Sequence, residues 1–258
     1  MRIGRLEATA RIVSIVAVLV ASFSAHAQQR IGPEQSGWYM YFGDHPIDAH
    51  WGLHLEGQWR RAPVISNPEQ LLLRPGVNYD LGKGLMVVVA YTYVRDDPPS
   101  GSTQIGGSEP RQSINEEFKQ RMEFRHVVLG QNVRLQQTMA GDRPYGQKDL
   151  TWKFIQRVHY RLEARIPTVS KHKLLPQFYS LYDEVIDGFG PNGGHQTLKQ
   201  NRSYGALGWP LSHYVEFELG YMHQYRPVSN GIIGEQNNAL QVTISSNAPL
   251  GLLLKRHR

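Results

Sequence analysis

The stretch FIQRVHYRLEARI, residues 154–166, sets Arg157, Arg161 and Arg165 at intervals of four, with His159 and Glu163 between them. Glu123 and Arg125, Glu184, Arg202, Glu216 and Glu218 supply the same two side-chain types elsewhere in the chain. Arginine and glutamate in such a pattern can build a ladder of ion pairs, line an ion-selective pore, or furnish the acid and base of a catalytic cluster. The ladder is the expected use. Charges withdrawn from water must be paired, and a planar guanidinium can hold two carboxylates.

Other chemistry is poorly provided for. The chain has no cysteine and no H-E-x-x-H. His50 and His54 would stand about 13 Å apart on a strand, too far to share one ion. No metal or cofactor is expected. Gly188-Phe-Gly190-Pro-Asn-Gly193 fits G-x-G-x-x-G, but Pro191 suits a turn and no amphipathic helix follows, so a loop is expected there. A lipid hydrolase at a membrane edge would pair a histidine with the serine two residues on, so that the imidazole takes the hydroxyl proton. At Val228-Ser229-Asn230-Gly231 the histidine's place is held by Pro227, and His223 is six residues from Ser229. A turn opening a loop is the expected reading, and the chain is not expected to be an enzyme.

The elements that must position these side chains can be read from the same stretch. Phe154, Val158, Tyr160, Leu162, Ala164 and Ile166 alternate with Ile155, Arg157, His159, Arg161, Glu163 and Arg165. A period of two marks a strand with one apolar and one ionic face. Trp51, Leu53, Leu55 and Trp59 oppose His54, Glu56, Gln58 and Arg60 in the same way; Leu71, Leu73, Val77 and Tyr79 oppose Arg74, Asn78 and Asp80. Phe118, Met122, Phe124 and Val128 oppose Glu117, Lys119, Arg121, Glu123 and Arg125. Val215, Phe217, Leu219 and Tyr221 oppose Glu216, Glu218 and Gln224, and Leu240, Val242 and Ile244 oppose Gln241, Thr243 and Ser245. Weaker strands are expected near 36–43, 85–95, 131–139, 174–186 and 198–209.

Connections near 82–84, 130 and 210–212 read as tight. Those near 96–115, 140–151, 187–198 and 227–236 are long and rich in Gly, Pro, Asn and Ser. This pattern predicts an all-β chain, an antiparallel up-and-down transmembrane β-barrel of about 10–12 strands. From residue 50 onward ten strands are expected. The segment 36–43 makes an eleventh that would start at the opposite end, and NAPLGLLLKRHR after Ser246 does not end as a strand. In so narrow a barrel the lumen is filled by side chains, and the ten arginines and glutamates named above would meet there.

The N-terminus gives the setting. Arg2, Arg5 and Arg11 precede an apolar run from Ile12 to about Phe23, then Ala25-His26-Ala27. This is the pattern of a Sec-type signal peptide cleaved after Ala27. Residues 1–27 are therefore expected to be removed and residues 28–258 to form a single domain in the outer membrane. A soluble lipocalin-like barrel would also alternate. The mixed Arg and Glu of the polar face, and the aromatics Trp51, Trp59, Tyr91, Tyr93, Trp152, Tyr221 and Tyr225 near strand ends, favour the membrane. A formal charge of +6, part of it in the leader, with no basic run before Lys255, argues against nucleic acid as a partner. The expected partners are outer-membrane lipid, the barrel-assembly machinery during insertion, and small solutes if the lumen conducts.

LLLRPGVNYDL (71–81), YRLEARI (160–166), YDEV (182–185), QNRSYGALGW (200–209) and ELGYMHQY (218–225) together resemble the bacterial family catalogued as domain of unknown function 2490. Its members carry R-P-G-x-x-Y, R-x-E-x-R, an acidic-Glu step, Q-N-R and a late L-G-Y-M-x-Q in this order. The resemblance implies an outer-membrane β-barrel and brings no activity with it. The basic, extended C-terminus departs from the family pattern. A closed, structural barrel is the expected role, with a narrow channel for small solutes and, further off, a lipid-directed hydrolase as alternatives.

Overall fold

The computed structural model describes residues 35–97, 110–142, 150–169, 172, 174–192, 198–228 and 233–255. The signal-peptide expectation, and Ser229, Asn230 and Gly193, lie outside them. Eleven strands among the described residues form one closed barrel: β1 Gln35–Pro46, β2 Trp51–Ala62, β3 Asn67–Gly82, β4 Leu85–Asp96, β5 Arg111–Phe124, β6 Val127–Asp142, β7 Thr151–Pro167, β8 Phe178–Phe189, β9 Leu198–Pro210, β10 Val215–Val228 and β11 Ile233–Ser246. A short helix, α1 (Leu250–Lys255), follows. No described helix is long and apolar enough to cross a membrane, which says nothing about strands.

Every sequential pair of strands is antiparallel, from Phe42 opposite Glu56 on β1–β2 to Leu219 opposite Val242 on β10–β11. The ring closes differently. β1 and β11 run parallel, with Trp38 beside Gln241 and Met40 beside Thr243. An odd strand count requires this, because the first and last strands of an up-and-down ring then point the same way. The segment 36–43 is therefore a full wall strand, and its start at the end opposite to the other expected strands is resolved by the parallel seam.

Two ends follow. One, the short-turn end, carries the connections 47–50, 83–84, 125–126, 168–177 and 211–214; the long-loop end carries 63–66, 97–110, 143–150, 190–197 and 229–232. The alternation of short and long is thus broken three times, by the ten residues of 168–177 and by the four each of 63–66 and 229–232. The turn expected near Gly130 lies instead at Arg125-His126, where Arg125 takes a left-handed φ of 57°. Gly130 sits inside β6 opposite Glu163, and a side chain there would collide with that carboxylate. The turn was misplaced because it carries no glycine. The shift also moves Val128 from the outer to the inner face, where it lines the interior cavity.

The Arg74-Pro75-Gly76 motif shows why some local choices matter. Pro75 falls where β3 and β4 exchange no paired residues, between Leu73–Tyr93 and Gly76–Ala90, so its missing N–H breaks no ladder bond. At Gly76 a Cβ would lie 2.6 Å from the Val89 carbonyl oxygen, so the two strands approach as closely as they do only with glycine there. Tyr79, at the end of the same motif, packs edge-on against Trp51 with ring centroids 4.9 Å apart.

The C-terminal segment closes against the short-turn end. His45 donates from Nδ1 to the Ala248 carbonyl at 2.9 Å while Nε2 accepts from Tyr41 Oη at 2.8 Å, and Asn247 donates to the Tyr214 carbonyl. Both His45 and Ala248 are buried.

Candidate functional site in the barrel interior

The inner faces of the strands build two unlike halves. Between β1, β9, β10 and β11 an apolar cluster interrupts the polar interior: Trp38, Met40, Tyr204, Ala206, Met222 and Ala239 are buried together, with Phe42 and Tyr182 packed against them. On β1 both faces carry bulky apolar or aromatic residues, so alternation was weak there. Gly220 faces Tyr204 closely enough that a Cβ would stand 2.5 Å from that ring.

The other half is a belt of paired charge centred on Glu184 of β8, which is 1 % exposed. Its carboxylate accepts from Arg202 at 2.9 Å and Arg161 at 3.1 Å, with Arg134 at 3.5 Å and His159 Nδ1 3.7 Å away. Register explains the meeting: Glu184 stands directly between Arg161 of β7 and Arg202 of β9. From Arg134 the belt passes to Glu117 at 4.0 Å, which also accepts from Asn132. Across the lumen Arg74 pairs with Glu56 and donates from Nε to Thr92 Oγ1 at 2.7 Å; Asn115 donates to the same hydroxyl at 2.8 Å. Glu56 accepts from Gln58, which accepts from Arg60 at 2.8 Å. The Arg60 guanidinium lies 3.6 Å from the centre of the Trp38 ring and that of Arg202 5.4 Å from it. Trp38 thereby joins the two ends of the belt by cation–π contact.

Toward the short-turn end are two smaller groups. Arg165 clasps Glu216 with both terminal nitrogens, and Tyr204 Oη donates to Glu218 at 3.2 Å. Asp44 accepts from His54 Nδ1 at 2.7 Å, Asn78 at 2.9 Å and Lys119 at 3.0 Å. No cluster of three or more His, Cys, Asp or Glu among the described residues is placed to hold a metal ion.

The ten residues expected in the lumen are thus distributed unevenly. Arg161, Glu184 and Arg202 meet at the waist, and Arg165, Glu216 and Glu218 lie below it. Arg157 faces the same cavity but meets no acid among the described residues. Glu163 faces the interior beside Gly130, in water rather than in the belt. Glu123 and Arg125 do not join the network: Glu123 is an exposed strand end whose partner is Arg121 at 4.0 Å, and Arg125 is in the turn, its guanidinium 5.7 Å from the Phe124 ring. Arg125 followed from carrying the period of two past the strand's end; Glu123 keeps its place in β5, opposite Val128, but at the solvent-exposed rim. Glu56, Arg74, Glu117, Arg134, His159, Asp44 and Lys119 were not singled out. Glu56, Arg74, Glu117, Lys119 and His159 already stood on the polar side of an alternation, and that was the available signal.

The outer face is largely apolar, with polar groups in several places, among them Gln131, which donates to Gln120 and accepts from Tyr160 Oη. Gln137 donates to Glu116 at 3.2 Å. On β8–β11 Asp183, Ser203, His223 and Asn238 fall in one register row. Ser203 Oγ donates to Asp183 at 2.6 Å, Asn201 donates to Asp183 at 2.9 Å, and His223 Nδ1 bonds Asn238 Oδ1 at 2.9 Å. The serine hydroxyl is thus committed to the carboxylate rather than to the imidazole, as in a satisfied structural row.

The motif residues of the sequence converge on this interior: Arg74, Arg161, Glu184 and Arg202 in the belt, Gly220 and Met222 in the apolar cluster. The model of the family described as "Protein of unknown function (DUF2490)" matches residues 35–235. The chain belongs to that family, and its described residues form a closed eleven-stranded barrel with buried charge. No curated protein and no solved structure matches the chain.

Proposed function

We propose that the chain is an outer-membrane protein, freed of its leader after about Ala27, whose interior is held shut at the waist by the Glu184 belt and the Trp38–Met222 cluster. Lipid and, during insertion, the assembly machinery are its partners. The observation that supports the closed reading is Glu184: a carboxylate with almost no exposure, engaged by guanidinium groups from three strands. The membrane reading is supported by exposed apolar side chains around the outside, including Leu73 on β3, Val89 on β4, Phe118 on β5, Tyr160 on β7, Leu207 on β9 and Leu240 on β11. So continuous an apolar coat has a use in lipid and is a liability in water.

A second reading, a narrow channel, has one observation in its favour. The interior holds a cavity of about 920 Å³ lined by residues from both ends, among them Asp80 and Arg226. Reconstitution in planar bilayers separates the two. The closed reading expects little steady conductance. A steady, ion-selective current would overturn it and make the belt a selectivity filter. Fractionation tests the location: recovery with the outer membrane, need for detergent, and altered gel mobility on boiling are expected, whereas recovery in the soluble periplasm would overturn it.

A further inference from the structure

The cavity is electrically lopsided. Toward the long-loop end it is lined by Arg60, Arg111, Arg157, Lys199, Arg202 and Arg226, against the acids Glu69 and Asp96. These cations sit near the long-loop ends of β2, β5, β7, β9 and β10. Several are already used: Arg111 by Asp96 at 2.5 Å, Arg226 by Glu235 at 3.4 Å, Arg202 by Glu184. Arg157 is not. It has no acidic partner among the described residues, its Nε is buried without a hydrogen bond, and the charged side chains that act on it are Arg111, Arg226 and Arg202. Its register neighbours are Gln136 and Gly188, and the Lys199 chain lies across Gly188, where a Cβ would have no room. The Lys199 side chain is thereby laid over the position paired with Arg157.

An unpaired guanidinium held among other cations inside a protein costs free energy unless an anion joins it. We propose that this vestibule, centred on Arg157 with Arg60, Lys199 and Arg202 around it, is a binding site for a small, multiply charged oxyanion bearing phosphate or carboxylate groups. Guanidinium forks bind such groups bidentately, and the cavity is large enough for a compact solute of that kind. The site goes beyond the closed-barrel reading and does not depend on it, since a conducting lumen would hold the same cations.

The test uses the mature chain refolded in detergent, with pyrophosphate and citrate as probes at constant ionic strength. Saturable binding by calorimetry is expected, together with a rise in the unfolding midpoint that grows with probe concentration, as binding to the folded state requires. Arg157→Gln should weaken binding roughly tenfold or more, the loss of a charge-assisted hydrogen bond or two. Without probe the same variant should be no less stable than wild type, because a guanidinium without an acid partner is removed. A purely structural role for Arg157 would lower that baseline instead and overturn the proposal. An equal midpoint shift with chloride at the same ionic strength would show screening alone and overturn it too, as would undiminished binding in Arg157→Gln. Response to pyrophosphate but not citrate, or the reverse, assigns the group recognised. None of these readouts involves conductance.

Discussion

Glu184 and Glu163 are both interior glutamates, yet their surroundings make opposite demands on mutation. Glu184 is buried under Arg134, Arg161 and Arg202, whereas Glu163 is exposed to the cavity. Glu184→Gln leaves those guanidiniums short of their counter-charge, and breaking a buried ionic group in this way costs about 3–5 kcal/mol. Glu163→Gln should fall within about 0–1 kcal/mol of wild type, the range of solvated pairs. Unfolding midpoints of the two refolded variants check this, and equal losses would mean that the belt is centred elsewhere. In the chain, Glu184 is one acid in YDEV with nothing to set it above Glu163, which sits in the more ionic stretch. Its arginine partners lie 18, 23 and 50 residues away. Only the registers of β6 to β9 bring them together, and registers are not written in any single segment. Arg157 is the reverse case: its type and spacing promised an ion pair that the fold does not supply.

At the scale of the strands, the two-residue period was legible wherever one face is largely apolar, as on β2, β7 and β10. It failed on β1, whose inner residues Trp38, Met40 and Phe42 are as apolar as the outer Tyr39 and Tyr41. The outer face offers a clean probe at Leu207, whose register neighbours are Tyr179 and Leu219. If this face meets lipid, Leu207→Arg should cost about 2–4 kcal/mol near mid-depth, falling toward the interfaces, while Leu207→Phe should be tolerated. Refolding yield and unfolding midpoint in vesicles report it; tolerance of the arginine would favour a water-facing surface. The seam makes its own prediction. With no native cysteine, the double variant Tyr39→Cys, Val242→Cys places one thiol on each side of β1–β11 at partnered positions. Oxidation should give an intramolecular cross-link visible as a gel shift. Tyr39→Cys paired with Ser246→Cys, which an antiparallel pairing could bring together but this register separates, should not give one.

For the molecule as a whole, the barrel class was legible because many strands repeat one rule, and an error in one turn did not disturb the sum. The closure was not, since it depends on whether the strand count is odd. That parity puts the start of β1 at the long-loop end and the end of β11 at the short-turn end. If the barrel spans a bilayer, an epitope inserted just ahead of β1 and another appended after α1 should be reached by antibody from opposite faces. Labelling of both on intact cells would contradict the seam. The parallel seam also limits how the protein can be re-engineered. In an even-stranded up-and-down ring the first and last strands finish side by side, and a few residues can join them so that new ends are cut elsewhere. Here a joining segment would have to run back along the height of the wall. The 12 residues of β1, at about 3.3 Å each, set that gap at roughly 40 Å along the strand, so about a dozen extended residues are needed. They would have to pass through the occupied interior or across the apolar outside. Circular permutation with a short linker is closed to this barrel, and each strand keeps its place in the order of synthesis.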